Sequence, residues 1–396
     1  MATLFLLLIY LTYIALGLPD SLLGSVWPVM HTDLGTSFES AGIVSMVIAG
    51  GTIVSSLVSE RLIRRFGTHR VSFVSVFATA GALLGYSLSP SMAMIALMAV
   101  PLGLGGGCID SAMNNYVALH YEAKHMNWLH AFWGVGAFAG PLVMGVFMRQ
   151  GDNWRGGYLA ISIILFVIAI LLTVSFPMWK KTGAAVTGKK QEGQAELPPP
   201  VDARTAIRIR GVLPAMATFL VYCAAEYTIG LWGSSFLVYV RGFAAADAAM
   251  GVSLYYIGIT AGRFLSGFLT AKMSSARLIR TGVVMVMIGG GLLFIPGPFF
   301  MPLVAFFFLG FGCAPIFPSM VHETPARFGE NVSQKLMGWQ LASSYVGATF
   351  IPPLVGILGN NTSMMVVPIL MLLYGVVLFA CTERINKVAG AGKSKP

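Results

Sequence analysis

Twelve apolar runs, each long enough to cross a bilayer, constrain this chain more than any other feature. They fall near residues 4–30, 40–60, 71–89, 92–119, 127–149 and 156–178, and again near 212–240, 247–272, 278–296, 299–322, 335–358 and 364–382. A spanning helix needs ~20 mostly apolar residues. Hydrocarbon offers no water to bond a free backbone group, so each run must close its hydrogen bonds within itself, as a helix. Only 10% of the 396 residues are charged, against about 25% in soluble domains. The first run has no basic leader and no small-residue cleavage pattern, and it reads as a retained helix rather than a signal peptide. The expectation is an all-α polytopic membrane protein.

The runs form two sets of six, giving an N-terminal bundle over 1–179 and a C-terminal bundle over 212–396 with a short basic tail. Between them, 180–211 is rich in Lys, Gly and Gln and carries Pro198-Pro199-Pro200. It cannot bury a core and reads as a flexible linker. Lys and Arg set the orientation. With both termini cytoplasmic, that side holds Arg61, Arg64, Arg65, Arg70, Lys124, the linker cations, Lys272, Arg277, Arg280, Arg327, Lys335 and the tail. The opposite side keeps Arg149, Arg155 and Arg241. The net charge of +10 therefore serves topology and meets the anionic inner leaflet, with no call for nucleic acid. The expected location is a cell membrane, and the expected working unit is a monomer.

The two sets repeat each other at offsets of 206 to 211 residues. "DSLLG" (20–24) meets "EYTIG" (226–230), "LGLGGGC" (102–108) meets "LGFGCAP" (309–315), and "GAFAGP" (136–141) meets "GATFIP" (347–352). Two pseudo-symmetric six-helix bundles around a central cavity resemble the architecture of major facilitator transporters, which bind substrate near the membrane midplane.

Ionisable groups inside spans are functional candidates, because each costs ~2.5–3.5 kcal/mol at a helix centre on insertion scales and calls for a partner, a wet cavity or a proton. Five stand out: Asp20 in the first span, Asp110 in the fourth, His130 in the fifth, Glu226 in the seventh and Arg263 in the eighth. Pro19 and Gly24 flank Asp20 and loosen its helix. A carboxyl in a low-dielectric wall favours its protonated form, which is what coupling to a proton gradient uses; a structural hydrogen bond to a neighbouring helix is the plain alternative. Asp20, Asp110 and Glu226 are the expected proton-coupling groups. Arg263 reads as a structural cation, salt-bridged or snorkelling to the inner interface. His130 suits a proton relay or substrate contact, or a packed gate. Asn114, Asn115 and Gln340 offer amides, and Trp27, Trp133, Trp232 and Trp339 offer flat apolar faces, a combination that suits a hydroxylated ring; interfacial belts also collect tryptophan, with Trp27 and Trp154 near the outer boundary and Trp179 near the inner one. Cys108, Cys223, Cys313 and Cys381 lie in apolar runs without metal-ligand spacing and read as packing residues.

"GCIDSAMNNYV" (107–117) resembles the fourth-helix signature of the fucose:proton symporter family. "YCAAEYTIG" (222–230), "GRFLSG" (262–267) and "IFPSM" (316–320) resemble its seventh, eighth and tenth helices, with Ala224 in place of a glycine. The resemblance implies a proton-coupled symporter of a sugar or related hydroxylated solute, in which Asp20 exchanges the proton and Asp110 links it to substrate. Asp110, Asn114, Asn115, His130, Trp133, Glu226 and Gln340 form the implied binding set, with no cofactor beyond the proton gradient. Two departures bear on the solute. In "NWLHAFW" (127–133), His130 and Trp133 replace the family's Gln and Asn, and Asp110 replaces the commoner Glu. "SERLIRRFGTHR" (59–70) resembles the superfamily's loop between helices 2 and 3, which implies a gating role for Glu60, Arg61 and Arg65.

A rival reading starts from "GAFAGPLVMG" (136–145), which resembles the antiporter signature of drug and metabolite exporters. The fourth span lacks the arginine such exporters carry, and the final double glycine is missing. An enzyme is disfavoured: "GLGGG" (103–107) lies within a helix, not between a strand and a helix as a phosphate cradle would.

Overall fold

The computed structural model describes residues 2–121, 123–176, 179, 202–270, 272–297 and 299–393. Among them run fifteen helices. The first half holds α1 (Ala2–Asp20), α2 (Leu22–Asp33), α3 (Ser40–Phe66), α4 (Thr68–Ser87), α5 (Met92–His120), α6 (Ala123–Met148) and α7 (Trp154–Val174). After the short α8 (Ala203–Arg208) come α9 (Val212–Tyr239), α10 (Ala245–Leu269), α11 (Ser275–Leu292), α12 (Met301–Cys313), α13 (Ile316–Phe328), α14 (Glu330–Asn361) and α15 (Val366–Lys393).

Ten spans pass as membrane-crossing by length and apolarity. The two expected runs missing from that set are α4 and α10. Both are long enough, at 20 and 25 residues, but serines, glycines and the ionisable His69, Arg70, Asp247 and Arg263 dilute their apolarity. Each packs one face on its neighbours, α4 on α5 and α7 and α10 on α6 and α12, and the two charges of α10 meet protein there, Asp247 with Arg149 and Arg263 with Glu226.

Two spans expected to be continuous are broken. The first divides at Ser21, between α1 and α2, directly after Asp20. The tenth divides at Ala314-Pro315, between α12 and α13. Pro19 and Pro315 supply no N–H to the helical ladder, and the carbonyls they orphan lie at membrane depth against protein, where a broken helix is tolerated. Elsewhere the turns are abrupt. Gly67 (φ 81°) alone joins α3 to α4, and Gly329 (φ 97°) alone joins α13 to α14, a region of backbone space open to glycine.

The repeat seen in the sequence is a repeat of packing. The first half pairs α1 with α6, α3 with α5, α4 with α5 and α4 with α7; the second pairs α9 with α14, α10 with α12, α11 with α12 and α11 with α15. The glycines fix these contacts. A Cβ on Gly103 would strike Ile48 O of α3, and one on Gly310, 207 residues later, would strike Tyr255 O of α10. Gly136 lies on Ile14 and Leu18 of α1, and Gly347 on Leu220 of α9.

The halves join through α2 on α9, α3 on α14 and α6 on α10. Contact concentrates at the end opposite the termini. There Gly24 and Gly230, the paired glycines of the repeat, press together, so that a Cβ on Gly24 would sit 2.7 Å from Leu231 Cα. Ser234 donates to Ser25 O at 3.0 Å, Tyr239 donates to Pro28 O at 3.2 Å, and His31 Nε2 lies 2.8 Å from the same hydroxyl. Arg149, just past the end of α6, pairs with Asp247 on α10 at 2.9 Å. Arg155 pairs with Asp33 and stacks 4.1 Å above the Trp154 ring, and Arg241 donates to Leu293 O and Ile295 O. At the terminus-bearing end, α5 and α13 pack chiefly within their own halves.

Residues 180–201 of the expected linker, and 394–396 of the tail, lie outside the described residues. The part of the linker that is described holds α8, whose first turn is capped by Asp202 accepting from Arg204 N.

Candidate functional site

A cavity of about 330 Å³ lies between the halves, walled by α1–α7, α9, α10, α13 and α14. All five ionisable residues singled out from the sequence line it. They fall into two linked groups.

The first group is held by α1, α6, α9 and α10. Asp20 ends α1 and opens to the cavity, and Trp133 of α6 donates its indole N–H to Asp20 Oδ2 at 2.7 Å. The Arg263 guanidinium lies 4.9 Å over the same indole ring, 4.0 Å from Glu226 Oε1, and 3.5 Å from His130 O. Trp133 thus joins two charged side chains, its N–H on a carboxylate and its face under a cation. Of the two arrangements expected for Arg263, salt-bridged or snorkelling, the salt-bridged one is present. Arg263 pairs with Glu226 and lines the cavity, its side chain 18% exposed.

The second group centres on Asp110 of α5. Tyr13 of α1 donates to Asp110 Oδ1 at 2.7 Å, and Asn114, one turn on, donates to the same oxygen at 2.9 Å. The His130 ring meets the Tyr13 ring edge-on at 5.6 Å. Asp20 lies within electrostatic reach of both Asp110 and Glu226.

The other sequence candidates are placed differently. Asn114 acts through Asp110 and is absent from the cavity wall, and the Asn115 side chain lies outside the described residues. Gln340 is buried away from the cavity and accepts from Thr324 at 3.1 Å. Of the four tryptophans offered as stacking faces, only Trp133 lines the cavity. Trp27 and Trp232 are fully buried, each donating to a carbonyl at 2.7 Å (Phe38 O and Pro352 O). Trp339 packs in a small apolar cluster with Val212, Val332 and Leu336. Trp154 opens α7 at the end opposite the termini, where it is buried and donates its indole N–H to Asp33 at 3.0 Å. Glu60, Arg61 and Arg65 stand exposed at the end of α3, with Glu60 paired to Arg64 in its own helix. None of the three has an ion-pair partner in the other half among the described residues. The described residues hold no cluster able to ligate a metal, and all four cysteines are free thiols.

Sequence reasoning missed the tyrosines. Tyr13, Tyr86, Tyr158, Tyr222, Tyr227, Tyr256 and Tyr345 all line the cavity. A signal was present in the spacing: Tyr13 precedes Asp20 by seven, Tyr222 precedes Glu226 by four and Tyr256 precedes Arg263 by seven. Those intervals place ring and charge on one helix face.

Two helical bundles around a shared cavity that holds three carboxyl groups, one of them at a helix break, define a membrane transporter that works by alternating access to a central site. The chain belongs to the Major Facilitator Superfamily, whose pattern it matches over residues 9–321 and 242–395. It is a secondary transporter and not an enzyme. It is 23% identical to Bypass of stop codon protein 6 of Saccharomyces cerevisiae, over 90% of this chain and 77% of that one. It is 20% identical to the glucose/mannose transporter GlcP of Bacillus subtilis, over 84% of this chain and 86% of that one. The crystal structure of a single-residue mutant of the nucleoside transporter NupG superposes with a TM-score of 0.73 at 13% identity, covering 96% of this chain and 98% of that one. These matches carry the superfamily and the fold; the fucose symporter subset is not among them.

Proposed function

We propose that this transporter takes up a sugar or a related hydroxylated solute together with protons, with Asp20 exchanging the proton and Asp110 coupling it to substrate. The observation that carries the reading is Asp20, set at the break in the first span, open to the cavity and held by Trp133 at 2.7 Å. Three carboxyl groups share the cavity wall with one guanidinium. Full ionisation leaves uncompensated negative charge in a poorly screened site, and a proton is the smallest counter-charge that neutralises it. Hydroxyl-bearing aromatics suit a ring whose C–H face stacks while its hydroxyls bond, and one relative in the superfamily carries glucose and mannose by name. By the distribution of Lys and Arg, the termini are cytoplasmic in a cell membrane. The end sealed by Gly24 and Gly230 then faces outward, and the cavity belongs to an inward-facing or occluded state.

The test is uptake of sugars into proteoliposomes under an imposed pH gradient. Asp20→Asn should abolish gradient-driven accumulation while sparing exchange of labelled for unlabelled solute. Equal loss of both would assign Asp20 to binding or folding. Export of amphiphiles against the gradient, without sugar uptake, would favour the antiporter reading. The glycines that suggested that reading, Gly136, Gly140 and Gly145, serve here to bring α6 close to α1 and α10.

A further inference from the structure

Asp20 and Arg263 belong to different halves, and the Trp133 indole lies between them. Its N–H meets Asp20 Oδ2 at 2.7 Å, and the guanidinium lies 4.9 Å from its ring centre. Asp20 is exposed to the cavity, and Trp133, Glu226 and Arg263 are partly so. The other contacts of Arg263 are long: Glu226 Oε1 at 4.0 Å, beyond hydrogen-bond reach, and His130 O at 3.5 Å. Its hold on the first half therefore runs through Trp133 and His130 of α6, and its alternative is Glu226 in its own half. A second triad of the same composition shows what is particular here. Trp154 also donates to a carboxylate, Asp33, under an arginine, Arg155, 4.1 Å from its ring. There the arginine pairs directly with that carboxylate, and all three lie in the first half. At Trp133 the arginine comes from the other half and no ion pair joins it to Asp20 among the described residues.

An ionised carboxylate holds an N–H about twice as strongly as a neutral acceptor does. Negative charge at the N–H edge also enriches the face of the ring, and the guanidinium is then held more firmly there. Both interactions weaken together when Asp20 takes a proton. Arg263 is then free to close the remaining distance to Glu226. The indole that the sequence offered to a sugar is thus engaged at its N–H and on one face, and Tyr256 stands edge-on to it at 6.3 Å.

We infer that Trp133 is a positioning residue for proton coupling: its indole carries the protonation state of Asp20 in the first half to Arg263 in the second. An ionised Asp20 ties the halves together between α6 and α10, and a protonated one releases the tie. The link rests on the reading of Asp20 as the proton site and adds the part by which that proton moves the halves. Asp110 on α5, Glu226 and Tyr227 on α9 and Tyr256 on α10 also lie within electrostatic reach of Asp20, and Tyr13 and His130 line the same cavity. Any of these can add to a pH response, so the share that belongs to Asp20 is the share that Asp20→Asn removes.

The test places spin labels at Asp152→Cys and Ala244→Cys, one in each half at the sealed end, and follows their distance in liposomes across a pH series without substrate. The tie is made in the state that seals this end, so acid should lower the ratio of sealed to open populations, by about tenfold. Asp20→Asn should remove that shift. Trp133→Phe keeps a ring beneath Arg263 and drops the N–H, and should cut the shift to less than about twofold. Arg263→Lys keeps the charge but gives up the planar stack, and should cut it likewise. Trp154→Phe alters the triad that lies within one half; it should lower Tm and leave the shift intact. A full shift in Trp133→Phe or in Arg263→Lys would overturn the link and leave Asp20 standing as the proton site. Equal loss in Trp154→Phe and Trp133→Phe would overturn it too, since any loosening of an indole would then have the same effect. If the labelled wild type does not respond to pH, or Asp20→Asn responds as fully, Asp20 is not the proton site and the link falls with that reading.

Discussion

Tyr13 presents the most direct test of how substrate and proton meet. It stands on α1, seven residues before Asp20, and donates to Asp110 on α5, so one side chain ties the helix of the first acid to the second acid. A hydrogen bond to a charged group is worth ~1.5–3 kcal/mol, and Asp110 keeps Asn114 as a second donor. Tyr13→Phe should therefore weaken substrate binding about three- to tenfold without loss of the fold, and Asp110→Asn should weaken it further. Both are read as KM in proteoliposome uptake; an unchanged KM in both would remove Asp110 from recognition. Here the sequence was partly transparent. The rarity of charge in apolar spans exposed all five ionisable groups of the cavity. It gave no warning that Gln340 points to Thr324 or that Trp27 and Trp232 cap carbonyls, because an amide or an indole satisfies its N–H on whichever side the backbone leaves an acceptor. Tyrosine was overlooked for a related reason: in a membrane span its apolar body passes as packing.

At the level of helices, glycine separates two kinds of contact. Gly103 packs within the first half, against Ile48 O, whereas Gly24 packs between the halves, against Gly230 O. Inserting a methyl where none fits typically costs ~1–3 kcal/mol, but the strain has different outlets. Two helices of one bundle cannot part without unfolding it; two halves of a rocking transporter can. Gly103→Ala should accordingly lower Tm by several degrees, and Gly24→Ala should leave Tm almost unchanged while raising the accessibility of the sealed end to a cysteine reagent. A large drop in Tm for Gly24→Ala would mean that the halves do not separate there. The glycine repeat was readable in the sequence because offsets of 206 to 211 residues survive divergence of everything between them. The breaks after Asp20 and at Ala314 were less so. Proline can sit in a continuous bent helix as well as at a break, as Pro101 does in α5 and Pro141 in α6, and the outcome depends on what the neighbouring helices offer the freed carbonyls.

Over the whole molecule, the question is which contacts keep one end shut. The Arg149–Asp247 pair is the obvious candidate by eye, yet its side chains are 59% and 39% exposed, and exposed pairs are worth ~0–1 kcal/mol. The buried contacts of α2 on α9 involve backbone against backbone at Gly24 and Gly230, and Phe38 of the first half meets the Trp232 ring of the second at 4.9 Å. A latch built that way outweighs a solvated ion pair. Spin labels at Asp152→Cys and Ala244→Cys would report the sealed end, and labels at Arg65→Cys and Ala326→Cys the terminus-bearing end, measured as distance distributions in liposomes. Asp247→Asn should shift the populations by no more than about fivefold, the equivalent of ~1 kcal/mol. Gly24→Leu should lengthen the distance at the sealed end and shorten it at the other, because two rigid halves rocking about a central site cannot open both ends together. Lengthening at one end with no change at the other would replace rigid rocking by local bending at the Ser21 break, and would move the hinge of the transporter into its first span.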